Sequence, residues 1–138
     1  MITQQLKIRI RYCETDKMGF VHHSNYPRFM EEARMELFRK INLSYKEVED
    51  SGVIFPVVSM NLKFLIPVFF DEIITIKTTL KRPANNKLLF HHEIVNQTGK
   101  TATTAEAILT FMDIKTRKPI RPPHEIISCI LNYENFRV

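Results

Sequence analysis

An α+β fold, with a five-stranded antiparallel sheet wrapped around one long helix, is what the sequence predicts, and three observations carry it. Only one long stretch of the chain, near residues 26–41, has its apolar residues at helical spacing over several turns. Strand-like segments rich in Ile, Val, Thr and Phe occupy most of the rest. The joints "RPANNK" and "NQTGK" between the later segments are short and rich in turn formers, which favours antiparallel hairpins.

Residues 6–12 open the fold: Leu6, Ile8, Ile10 and Tyr12 alternate with Lys7, Arg9 and Arg11, a strand with one wet face. The helix follows, with Tyr26, Phe29, Met30, Ala33, Leu37 and Ile41 on one side and Glu31, Glu32, Arg34, Arg39 and Lys40 filling the remainder as a solvated face. Ser24 or Asn25 can cap it, and Pro27 is tolerated because a first-turn N–H has no intrahelical partner. A short second helix is expected where Ser44 and Glu47 have capping-box spacing, ended by Gly52. Strands are then expected over 55–65, 72–82, 87–97 and 101–114, and a short terminal helix over 124–133. Ile73, Ile74, Ile76, Leu88, Leu89 and Phe90 fall on both parities of their strands, so the outer sheet face is expected to be partly apolar and to drive oligomerisation.

At 138 residues, 44% apolar and 25% charged, the chain suits one domain, 1–138, with a core of its own. The apolar run around Phe64–Phe70 is interrupted by Pro67 and too short for a bilayer, and the N-terminus has no continuous hydrophobic segment. A cytoplasmic protein is expected, without a membrane partner. The two cysteines, Cys13 and Cys129, lack metal-ligand spacing and read as reduced thiols. The net charge of +5 favours an anionic partner; with no basic tail and no aromatic RNA-binding signature, nucleic acid is not expected to be that partner.

Chemistry concentrates in "ETDKMGFVHHSNY", residues 14–26. Asp16 precedes a tight turn containing Gly19, which can hold its carboxylate rigidly near the helix start. The backbone N–H groups of His22, His23 and Ser24 are expected to be unpaired at the helix N-terminus, with the positive end of the helix dipole behind them. A carboxylate to attack a carbonyl or activate water, beside donors for the developing oxyanion, is the pairing that acyl transfer to water requires. His91 and His92 point to opposite faces of a strand and are not expected to share a metal; no metal site and no cofactor are expected.

"RYCETDKMGFVHHSNYPRFMEEAR" resembles the signature of the 4-hydroxybenzoyl-CoA thioesterase family of hotdog-fold acyl-CoA thioesterases, with its T-D, G-x-V, H-x-N-Y and E-x-A-R elements. "FLIPVFFDEI", "EIVNQTGKTATTAEAILTFMD" and "KPIRPP" follow in matching order, so the resemblance covers nearly the whole chain. It implies hydrolysis of an acyl-CoA to a free acid and coenzyme A, with Asp16 as nucleophile or general base and the His23 amide polarising the thioester carbonyl. It further implies that Asn25 anchors the loop, that Tyr26, Phe29 and Phe55 shape the acyl pocket, and that Lys87 contacts the nucleotide. Arg82, Arg117 and Lys118 are alternatives to Lys87. The expected assembly is a homodimer or homotetramer with active sites between protomers. Many members carry Tyr where His22 stands; that imidazole is open to lining the pocket or to being inert. Another branch of the fold uses a helix Glu, which makes Glu31 and Glu32 alternative acids, and Glu14 reads as a surface residue. An acyl-carrier-protein thioesterase and a non-catalytic acyl-CoA sensor are the competing functions.

Overall fold

The computed structural model describes residues 1–136. It begins with strand β1 (Ile2–Arg9), which leads through a 3₁₀ turn at Tyr12–Glu14 and a second at His23–Asn25 into helix α1 (Tyr26–Lys40). A six-residue helix α2 (Tyr45–Asp50) and a two-residue strand β2 (Val53–Ile54) follow. Strands β3 (Val57–Phe64), β4 (Ile73–Leu80), β5 (Lys87–Val95) and β6 (Thr101–Thr110) complete the main sheet. Strand β7 (Met112–Asp113) and helix α3 (His124–Phe136) close the chain.

The main sheet has five antiparallel strands in the order β1-β4-β5-β6-β3, with α1 packed on β1 and β4. Hairpins join β4 to β5 and β5 to β6 as the turn chemistry predicts. Asn85 and Asn86 adopt positive φ (53° and 58°) in the first joint, where their short polar side chains tolerate the left-handed region. β1 starts earlier than the alternation suggested, because Ile2 already pairs with Leu80, and it stops at Arg9, where the chain turns into the site. The strand expected over 55–65 starts only at Val57, past Pro56, which cannot donate to a ladder, and an unexpected short strand before it, Val53–Ile54, pairs with Met112–Asp113.

Helix α1 buries Tyr26, Phe29, Met30, Ala33 and Leu37 of the expected stripe, together with Phe38, and Ile41 is buried just past its end. Two clusters form the core. One gathers Phe38, Phe55, Phe90 and Phe111, with Ile126 and Ile130 of α3 closing it; the other joins Tyr26, Phe29 and Ala33 to Ile74, Ile76 and Ile94. Each fully buried Phe, Leu or Ile contributes roughly 1.5–3 kcal/mol over its exposed state. At α2 the Ser44 hydroxyl accepts from the Glu47 N–H at 3.2 Å, and Gly52 at φ +94° follows the helix end.

Two expectations need correction. Arg34 is not on the solvated face: it is 5% exposed, and its Nη1 lies 3.5 Å from Nε2 of the fully buried His92, whose Nδ1 is 2.9 Å from the Thr78 hydroxyl. The outer sheet face is not broadly apolar either. Ile74, Ile76, Leu88 and Phe90 all point inward and are fully buried, and the outward positions mix half-buried Ile73 and Leu89 with Lys63, Lys77, His91, Glu93 and Glu106. Exposed apolar side chains lie instead along the β3 edge and the loop after it, at Val57, Val58, Phe64, Leu65, Phe69 and Phe70. The sequence shows period two but not which parity faces the helix, and that choice decides the outer face.

Candidate active site

The stretch before α1 folds into a small closed loop. Thr15 and Val21 form an isolated bridge, the Asp16 N–H donates to the Phe20 carbonyl at 3.1 Å, and the Gly19 N–H donates to the Asp16 carbonyl at 3.0 Å. Gly19 sits at φ +86°, which a residue with a Cβ adopts only under strain. Asp16 Oδ1 accepts the Met18 N–H at 2.8 Å, so one carboxylate oxygen fixes the turn. The other has no hydrogen-bond partner among the described residues.

Asp16 opens onto a cavity of about 300 Å³ together with His23, Met18, Phe20, Val21 and Tyr26, with the segment Phe64, Leu65, Ile66 and Pro67 forming the facing wall. A half-buried carboxylate and one imidazole are the charged or titratable groups in an otherwise apolar lining, apart from the Tyr26 phenol, whose burial raises its pKa. The phenol sits against the Phe64 ring at a centroid distance of 5.1 Å, which sets one wall of the cavity.

Of the three amides expected to be unpaired, two are taken. The His22 N–H donates to the Glu14 carbonyl at 2.9 Å, and the Ser24 N–H donates to His22 Nδ1 at 3.2 Å. The next one, on Asn25, donates to the His22 carbonyl at 3.0 Å. The His23 N–H alone in this run donates to no group among the described residues. An unpaired N–H at the head of a helix, beside a cavity that also holds a carboxylate, is suited to a carbonyl oxygen gaining negative charge.

Several residues stand elsewhere than expected. His22 does not line the cavity; its ring caps the 3₁₀ turn through Ser24 and stacks on His23 at 4.2 Å. Phe29 and Phe55 do not line it either: Phe29 is buried under Tyr26, and Phe55 belongs to the opposite core cluster, between Phe38 and Phe111. Glu31 and Glu32 are exposed on α1 and away from the lining. Lys87 lines a separate groove with Val58, Asn85, Asn86, Thr110 and Arg121. Asn25 does not cap α1 with its side chain; its Nδ2 donates to the Glu14 carbonyl at 2.8 Å, which ties the loop down. Glu14 is the residue sequence reasoning misjudged, being 3% exposed and hydrogen-bonded through both carboxylate oxygens. The one signal that could have found it is Arg28, a cation placed one turn inside the helix.

Cys13 is exposed, and Cys129 is half-buried with its Sγ donating to the Ile41 carbonyl at 3.2 Å. Among the described residues no group of three or more His, Cys, Asp or Glu side chains is arranged to hold a metal, and no helix is long and apolar enough to cross a membrane.

A five-stranded antiparallel sheet wrapped around one long helix is the hotdog architecture, and the chain shares it with thioester hydrolases. Residues 10–130 match the thioesterase-like superfamily, and the chain belongs to it. It is 31% identical over 121 residues to the putative acyl-CoA thioesterase YneP of Bacillus subtilis, covering 88% of each chain. It is 29% identical to the acyl-CoA thioester hydrolase YbgC of Escherichia coli, covering 88% of this chain and 90% of that one. The solved structure of a DHNA-CoA thioesterase from Staphylococcus aureus superposes with a TM-score of 0.89 at 33% identity, over 100% of this chain and 97% of the other.

Proposed function

We propose that this enzyme hydrolyses an acyl-CoA thioester to the free acid and coenzyme A, with Asp16 and the His23 amide as its catalytic groups. The observation that carries the reading is their shared cavity: Asp16, with one carboxylate oxygen unbonded, and His23, whose N–H is unpaired among the described residues, line the same apolar space. The acyl group lies along Phe64, Leu65, Ile66 and Pro67, and its carbonyl oxygen accepts from the His23 N–H. Asp16 then either takes a proton from water as that water adds to the carbonyl, or adds directly to give a mixed anhydride that water opens. In both routes the C–S bond breaks as the tetrahedral centre collapses, and the sulfur leaves as coenzyme A thiolate.

Within one chain the Lys87 groove reaches β3 at Val58 and the cavity reaches it at Phe64, six residues away, or about 20 Å at the usual rise per residue. A dimer resolves this separation. β3 is an edge strand with exposed Val57, Val58, Phe64 and Leu65, and pairing it antiparallel with the same strand of a second copy covers that edge. A two-fold axis at the middle of the strand, at the level of Met60 or of Asn61, would set the Val58 end of one copy beside the Phe64 end of the other. Lys87 and Arg121 of one protomer thereby approach the cavity of the other, where the phosphates of coenzyme A need cations. Asn25 and Tyr26 serve the substrate through the loop and the cavity wall.

Thiol release from short, long and aromatic acyl-CoAs, beside matched acyl-carrier-protein substrates, tests the reading. Wild-type turnover of an acyl-CoA and a fall of at least about a hundredfold in Asp16→Asn are expected. Preferential turnover of the carrier-protein substrate would reassign the donor. Binding of acyl-CoA without any hydrolysis would make the chain a sensor.

A further inference from the structure

The Glu14 carboxylate and the Arg28 guanidinium lie on the two arms of the site. Glu14 is two residues before Asp16, and Arg28 is in the first turn of α1, five residues past the His23 amide. Arg28 Nη2 donates to Glu14 Oε2 at 2.6 Å and to Asn25 Oδ1 at 2.9 Å. Glu14 Oε1 accepts the Arg11 N–H at 2.7 Å, which ends the strand entering the loop. The Glu14 main-chain carbonyl takes two further donors, Asn25 Nδ2 at 2.8 Å and the His22 N–H at 2.9 Å. Every one of these contacts spans from the Asp16 arm or its lead-in to the helix arm, or holds a residue that does.

Neither residue lines the cavity. A buried carboxylate with this many donors is therefore unnecessary for binding an acyl group, yet it fixes how far the Asp16 backbone stands from the helix entry. We propose that Glu14 and Arg28 form a positioning clamp that sets the carboxylate-to-amide spacing for thioester hydrolysis. The clamp rests on the reading of Asp16 and the His23 amide given above. The Glu14 main-chain carbonyl also takes the His22 N–H, which leaves the His23 N–H as the unpaired donor of this run among the described residues. A misplacement of about 1 Å between reacting groups commonly costs about a hundredfold in rate, so such a clamp acts on turnover more than on binding.

The experiment measures kcat and KM for wild type, Glu14→Gln, Arg28→Gln, Arg28→Lys, the Glu14→Gln/Arg28→Gln double variant and Asp16→Asn, each with its thermal midpoint. Glu14→Gln and Arg28→Gln are expected to lower kcat about ten- to a hundredfold with KM within about twofold. The double variant is expected to be no worse than the poorer single one, and Arg28→Lys to recover much of the loss. Amide exchange at Asp16 and Gly19 is expected to accelerate in Glu14→Gln, a readout independent of turnover. Arg28 is half exposed, so Arg28→Gln carries the test if the buried Glu14 substitution does not fold. Folded variants with wild-type kcat would overturn the clamp, as would losses confined to KM or strictly multiplicative losses in the double variant. Full activity in Asp16→Asn would instead overturn the catalytic reading.

Discussion

Acidification should destabilise this protein through one side chain, His92. Its ring is fully buried between sheet and helix, and burial first, then the nearby Arg34 and His91 charges, lowers its pKa from 6.5 to about 3. The folded state thus holds His92 neutral, while the unfolded chain protonates it near its ordinary value. For such a depressed base the stability is complete above about pH 6.5 and is lost as pH falls toward 3. Between about pH 7.5 and pH 5 the unfolded state gains roughly 2 kcal/mol from this proton alone, as long as the folded pKa stays below 5. Other groups titrate over the same range, so the comparison needs His92→Gln, whose amide can still meet the Thr78 hydroxyl and accept from Arg34. Urea denaturation at both pH values is the assay. With a slope of about 2 kcal/mol/M, the wild-type midpoint should fall by about 1 M more than that of His92→Gln. Equal shifts in the two proteins would mean that His92 reaches solvent or keeps its proton in the fold, and the reasoning would fail.

Two further outcomes follow from geometry. Replacing Val58 by Lys on the exposed β3 edge should shift the protein toward monomer in size-exclusion chromatography and lower thioesterase activity with it, if a second copy pairs there as proposed. Gly19→Ala meets no atom within 4 Å of the new Cβ, so its cost is backbone strain at φ +86°, about 1–2 kcal/mol, read as a thermal midpoint lower by roughly 3–8 °C.

What could be read from the sequence was local. The stripe from Tyr26 to Ile41 carries its own period, and the hairpin joints carry their own turn chemistry, so α1, β4, β5 and β6 were recognisable within a few residues. The grouping of Asp16, His23 and Tyr26 was visible because one short motif contains all three. What stayed hidden depended on contacts between distant segments. Arg34 looks like any charge on a wet helix face until His92, 58 residues later, is placed beneath it. Glu14 looks exposed until Arg28 folds back over it. Phe55 was mistaken for a pocket wall because an aromatic ring gives no sign of which core cluster it will join.

The cavity is built from two pieces of chain, joined by the Val21 N–H to the Val68 carbonyl at 2.9 Å and by the Tyr26–Phe64 ring contact. Asp16 and His23 sit on a stapled loop and helix entry, residues 14–25, whereas the other wall is the β3 terminus and its exit, Phe64 to Pro67. On the proposed reading, chemistry and selectivity are drafted on separate pages, so substitutions at 64–67 would rewrite the guest list and leave the Asp16 loop as it is.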